Sequence, residues 1–61
     1  MDRRMVIAQE LIRGYDALLE GLRADYNHER SNFIAQEIAR ITRAKTHMVE
    51  QLGRLVLEDS Q

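Results

Sequence analysis

The residues most able to do chemistry in this chain form a basic line in its second half. An aromatic ring heads the line, and the residues that follow it recur at about helical spacing: Phe33, Arg40, Arg43, His47 and Arg54. On an α-helix they share one outer side, where they could follow phosphates and stack a base. Glu37 and Glu50 lie among them, and Glu50 is spaced to pair with Arg54. Two interpretations stay open, a nucleic-acid face and a solvated surface.

Lys45 stands where the periodicity expects an apolar side chain, facing Tyr15 with Asp16 beside it. Burying an unpaired ammonium is costly, so Lys45 must find an oxygen or reach solvent. A polar residue at one core position can fix register and oligomeric state, and we interpret Tyr15 and Lys45 as such a register-setting layer. The alternative is a lysine at the edge of a bundle, with its stem packed and its head in water.

Metal and catalytic chemistry find little support. Asp25 with His28, and His47 with Glu50, have the three-residue spacing of helical metal ligands. Such sites need inward-facing carboxylates from several helices, and the apolar faces carry none. The chain has no cysteine, and it contains no phosphate loop or nucleophile motif. We therefore predict no metal, no cofactor, no catalytic residue and no enzyme activity.

The elements that must hold these residues follow from a mirror in the apolar positions. Each seam position in the first half has a counterpart in the second, and the two residue numbers sum to 60. The pairs are Met5 and Leu55, Ala8 and Leu52, Ile12 and Met48, Tyr15 and Lys45, Leu19 and Ile41, Leu22 and Ile38, and Tyr26 and Ile34. Their alternating steps of three and four residues indicate α-helix.

The two helical phases do not join into one continuous stripe. They predict an all-α hairpin with helices over about 3–26 and 32–57, a turn within 27–32 and a frayed tail over 58–61. Ser31 or Asn32 can cap the second helix. A single long helix paired antiparallel with another chain satisfies the same mirror and stays open as an alternative.

The width of the apolar stripes predicts association. The chain is one domain of 61 residues, and a chain this small, without disulfides or metal, usually depends on a partner for stability. A two-helix seam leaves part of each stripe wet, whereas a second copy would complete a four-helix bundle. A helix from another protein could take the same place. The predicted interface consists of Leu11, Ile12, Leu18, Leu19, Ile38, Ile41, Met48, Val49, Leu52 and Val56.

Small residues form a further candidate contact surface on the first helix. Gly14 and Gly21 lie one heptad apart although glycine inside a helix costs about 1 kcal/mol relative to alanine. With Ala17 and Ala24 they form a ridge, which we expect on the side turned away from the apolar stripe, where another backbone could approach closely. The alternative is that these are tolerated solvent positions that soften the helix.

Charge and hydropathy narrow the function. Nine basic residues balance ten acidic ones, so net charge gives no general attraction to nucleic acid or anionic lipid. No signal peptide or membrane span is visible, and we expect a soluble, cytoplasmic protein. We predict a non-catalytic helical interaction module, a homodimer acting as a small assembly factor, adaptor or chaperone-like subunit. The alternatives are a small nucleic-acid-binding regulator and an obligate subunit that folds only with a partner protein.

Overall fold

The chain forms a hairpin of two long helices. The computed structural model describes residues 2–60 and contains helix α1, Arg3–His28, and helix α2, Asn32–Ser60. The Cα atoms span 47 × 14 × 11 Å, the shape of a thin rod. Arg4 near the start of α1 contacts Glu58 near the end of α2, so the two helices run antiparallel. The predicted all-α hairpin is confirmed, and the single continuous helix is not the conformation of this chain.

Local chemistry at the termini explains where the helices begin and end. The Asp2 side chain accepts a hydrogen bond of 2.9 Å from the Arg4 backbone N–H and so caps the first turn of α1. Hydrogen bonds from the Arg4 guanidinium and from that N–H lower the pKa of Asp2 below its ordinary value of 3.8. At the start of α2, Ser31 Oγ accepts from the Phe33 N–H at 3.1 Å. Of the two predicted caps of α2, Ser31 and Asn32, Ser31 is therefore the one that caps the helix.

The turn covers Glu29, Arg30 and Ser31, and it needs neither glycine nor proline. Glu29 leaves α1 in an extended conformation, with φ −138° and ψ 107°, and its N–H still donates to Asp25 O at 2.9 Å. The Ser31 N–H donates to Glu29 O at 2.9 Å. Among residues 2–60 no residue has positive φ, so ordinary L-residues accommodate the whole reversal.

Both helices extend further than the sequence periodicity predicted. α1 continues through His28, and α2 continues to Ser60 where a frayed tail was expected. The added turn of α2 is held by the Ser60 hydroxyl, which donates to Val56 O at 2.9 Å, and by the contact between Arg4 and Glu58. Gln61, the last residue of the expected tail, lies outside the described residues.

The core of the hairpin is one narrow seam between the helices. The seam positions are all buried or half-buried, in agreement with the mirror pairing. Among residues 2–60 only Ala8 and Leu19 are buried, at 2% and 3% exposure. Water therefore reaches nearly every layer of the seam, and the hairpin alone has little apolar burial to stabilise it.

Candidate interaction surfaces

An uncharged stripe on α1 exposes large apolar side chains. It repeats at steps of three and four residues, and we call Ile7, Leu11, Gly14, Leu18 and Gly21 the α1 stripe. Leu11 is 42% exposed and Leu18 54%, and Ile7 is exposed beside them. An added Cβ at Gly14 or Gly21 would meet no atom within 4 Å, so each glycine is an open notch next to a protruding leucine.

The small-residue ridge is exposed, and an added Cβ at Gly14 or Gly21 meets nothing from α2. Gly14 and Gly21 also adjoin Leu11 and Leu18 on the helix surface, because they follow those leucines by three residues. The two glycines therefore lie outside the seam but next to the leucines that widen the apolar stripe. Ala17 and Ala24 are exposed one position further round α1.

A second uncharged stripe runs along α2 and consists of small or β-branched residues. We call it the α2 stripe: Ala35, Ala39, Thr42, Thr46, Val49, Gly53, Val56 and Ser60. Its hydroxyls are bound within the helix, because Thr42 donates to Ile38 O at 2.7 Å, Thr46 to Thr42 O at 3.0 Å and Ser60 to Val56 O at 2.9 Å. With those donors satisfied, the stripe presents methyl groups together with exposed Val49 and Val56.

The α1 stripe and the α2 stripe lie on opposite faces of the hairpin. Arg4 lies on the same side of α1 as Leu11, because it precedes Leu11 by one heptad. The Arg4 guanidinium lies 3.4 Å from Glu58 Oε2. The α1 stripe therefore shares a face of the hairpin with the side of α2 that carries Glu58. Val49 and Val56 flank the seam on the other side of α2, as heptad geometry requires. The exposed members of the predicted interface therefore belong to two surfaces. The other members, Ile12, Leu19, Ile38, Ile41, Met48 and Leu52, lie in the seam.

Lys45 and Tyr15 occupy the predicted polar layer of the seam, and both are half-buried. Lys45 Nζ lies 2.5 Å from Asp16 Oδ1, with the lysine side chain 34% exposed and the aspartate 53%. The ammonium thus has both an anionic partner and access to water, and the stem lies against the seam. This geometry agrees with each interpretation of Lys45, the register-setting layer and the bundle edge.

The basic line of α2 is exposed along its length. Phe33 is 70% exposed, and Arg43, His47 and Arg54 are exposed as well. Arg40 is engaged by Glu37 at 2.6 Å, a hydrogen bond that raises the pKa of the guanidinium. Within residues 2–60, Glu50 and Arg54 do not come within ion-pair distance, so the predicted pairing of these two is wrong.

Three exposed apolar residues were not singled out by the sequence analysis: Val6, Ile7 and Leu57. Continuing the line of Leu11 and Gly14 back by one turn finds Ile7.

Across residues 2–60 the structure contains neither a pocket nor a cluster of three or more side chains that could hold a metal ion. No helix in this part of the chain has the length and apolar character needed to cross a membrane.

Comparison of the chain with protein-family models, with curated proteins and with solved structures found no match.

Proposed function

We propose that this chain is a non-catalytic protein-interaction module that acts through helix-on-helix packing. Its first partner is a second copy, with which it forms an antiparallel four-helix bundle, and its role is that of a small assembly factor, adaptor or chaperone-like subunit. The observation that carries the proposal is the exposure of Leu11, Leu18 and Ile7 on a hairpin that buries so little of its own apolar surface. Contiguous exposed apolar residues are typical of protein-interaction surfaces.

Surface area supports association. The hairpin exposes 4931 Å² at a mass of 7.1 kDa, about 850 Å² more than a compact monomer of that mass exposes on average. A specific protein–protein interface of ordinary size covers about 800 Å² on each partner. One partner would therefore bring the exposed surface of this hairpin down to that of a compact globular chain.

The ionisable residues support a role in solvation rather than in chemistry. Arg40 pairs with Glu37, Arg13 with Glu10 at 3.6 Å, and Lys45 with Asp16, and each pair includes at least one largely exposed side chain. Such pairs contribute little to stability and are common on exposed helices.

The test is molar mass by light scattering over a concentration series, with helicity followed by circular dichroism. The wild-type chain should be a helical dimer, and Leu11→Glu with Leu18→Glu should give a monomer. Leu57→Glu is the matched control, because Leu57 is 66% exposed but lies outside both uncharged stripes; it should remain dimeric. A helical wild-type monomer at all concentrations would contradict self-association. A weakly helical monomer would favour an obligate subunit that folds on a different protein.

A second candidate function is nucleic-acid binding through the basic line of α2. The exposed ring of Phe33 and the exposed side chains of Arg43 and Arg54 support it, because stacking and phosphate contacts are the elements of single-strand recognition. The test is fluorescence anisotropy with a labelled RNA at several salt concentrations. If this candidate is correct, RNA binding should weaken as the salt concentration rises. It should be lost in the triple variant that combines Arg40→Ala, Arg43→Ala and Arg54→Ala. Absence of salt-dependent binding by the wild-type chain would remove this candidate.

A further inference from the structure

The α1 stripe is complementary to itself when two copies run antiparallel. Leu11 and Gly21 have residue numbers that sum to 32, and so do Gly14 and Leu18. An antiparallel pairing in this register sets each protruding leucine over an open glycine notch of the other copy, about a twofold axis at the level of residue 16, between Gly14 and Leu18. It is the single register that places both leucines over glycines. A parallel pairing would instead set glycine opposite glycine and leave the notches empty.

Charges at the ends of the α1 stripe fit the same register. Arg4 continues the stripe at one end and Asp25 at the other, and antiparallel pairing brings them within one helical turn of each other in different copies. Near the centre, Ala17 of each copy lies one residue from the twofold axis at the edge of the α1 stripe, and its small side chain lets the two backbones approach each other there.

The second helices also complement each other in this arrangement. Heptad geometry places both copies of α2 side by side, facing through the line that includes Glu37 and Gln51 and the neighbouring line that includes Arg40 and Arg54. The twofold axis at the level of residue 16 is also at the level of residue 44 in α2, because seam partners sum to 60. Glu37 then lies opposite Gln51 of the second copy, and Arg54 of that copy is within one helical turn of Glu37. An acidic and a basic side chain therefore come near each other along α2 while apolar residues meet along α1.

We propose that two copies of this chain form an isologous dimer in which α1 packs antiparallel on α1, with Leu11 and Leu18 over the partner's Gly21 and Gly14. The proposal rests on the proposed function and specifies its interface. The α1 stripe is about 21 Å long at 1.5 Å per residue, and the paired α2 helices extend the contact to the width of the hairpin. The excess exposed area of the hairpin matches one such partner.

Cysteine cross-linking tests the arrangement directly, because the chain has no cysteine of its own. Ala17→Cys places a thiol beside the twofold axis, and Thr46→Cys places one on the α2 stripe, on the opposite face. Both positions are exposed in the hairpin. With oxidation or a short bis-maleimide, A17C should convert to covalent dimer and T46C should stay near the level of random collision.

Glycine replacements give an independent reading. Since a methyl group at Gly14 or Gly21 meets nothing within the hairpin, Gly14→Ala with Gly21→Ala should raise helicity and yet weaken dimerisation at least threefold in sedimentation equilibrium. Gly53→Ala is the matched control, with the same open surroundings on the α2 stripe, and it should raise helicity and leave dimerisation unchanged.

The outcomes separate the two proposals. Two results would overturn this interface while the proposed function stands, provided that the wild-type chain is a dimer. One is cross-linking of T46C. The other is unchanged dimer affinity in G14A/G21A together with no cross-linking of A17C. A wild-type chain that stays monomeric at all concentrations would overturn both.

Discussion

Leu19→Ala should be the most damaging single truncation in the hairpin. Leu19 is 3% exposed and lies in the seam layer opposite Ile41. Buried leucine-to-alanine changes cost about 2–5 kcal/mol, depending on how far the surroundings collapse into the space. A rod with cross-section extents of 14 × 11 Å has solvent on every side of the seam, so the neighbouring side chains can close in and the cost should be about 2–3 kcal/mol.

That loss is large against the whole stability of the chain. At roughly 0.05–0.15 kcal/mol per residue, 61 residues give a free energy of unfolding of about 3–9 kcal/mol. With a urea dependence of about 1 kcal/mol per molar for so small a chain, the midpoint should fall by about 2–3 M. The measurement is urea unfolding followed by circular dichroism, at one fixed protein concentration because association contributes to apparent stability.

Leu57→Ala provides the comparison. The same atoms are removed at a side chain that is 66% exposed, and the change in unfolding free energy should stay within about 0.5 kcal/mol. Equal midpoints for the two variants would refute the reasoning, because they would mean that the seam through Leu19 contributes no more than the outer surface.

Three further predictions concern a cap, the polar layer and a glycine. Folding lowers the pKa of Asp2, so the ionised carboxylate stabilises the folded chain above pH 3.8, and this stabilisation is lost as pH falls through the still lower folded pKa. A circular-dichroism pH titration should show the loss in the wild type and not in Asp2→Asn, whose side chain caps the helix without titrating. Lys45→Met should raise the thermal midpoint, whereas Asp16→Asn should cost less than about 1 kcal/mol because the ion pair is partly exposed. If Lys45 also sets the register, light scattering of K45M should show more than one oligomeric species; a single species would favour the edge-lysine interpretation. Gly53→Ala should stabilise α2 by up to about 1 kcal/mol in thermal unfolding, since the new methyl has open surroundings, and a lower midpoint would contradict an open site.

The seam could be predicted from the sequence because a buried helical face needs an apolar residue at every third or fourth position. Met5 to Tyr26 and Ile34 to Leu55 meet that requirement at every layer except that of Lys45, and their phase break fixes the turn to a few residues. The ends of the helices were less accessible, because they depend on individual hydrogen bonds. Ser31 caps α2 through one hydroxyl, and Ser60 extends it through another.

The division of the outer apolar residues into two surfaces was missed because periodicity along one helix does not say which face of the pair a flanking position joins. Leu11 and Val49 both flank their seam, and both are about half exposed. The ion pairs across the seam, Arg4 with Glu58 and Lys45 with Asp16, show how the two helices are oriented about their own axes. Once that orientation is known, the leucine stripe and the valine stripe fall on opposite faces.

The face used for self-association therefore decides between the two candidate functions. If two copies pair through the α1 stripe, the lines of α2 that carry Arg40 and Arg54 face each other, and these side chains lie near Glu37 and Gln51 of the neighbouring copy. Phosphates could then reach only the outermost cations, such as Arg43. If two copies instead pair through the α2 stripe, Phe33 and the basic line stay on the outside of the bundle, free to meet a nucleic acid. Cross-linking at Ala17 rather than at Thr46 would thus favour a protein-interaction module and count against nucleic-acid binding, because the dimer contact and the phosphate contact would compete for the same side chains.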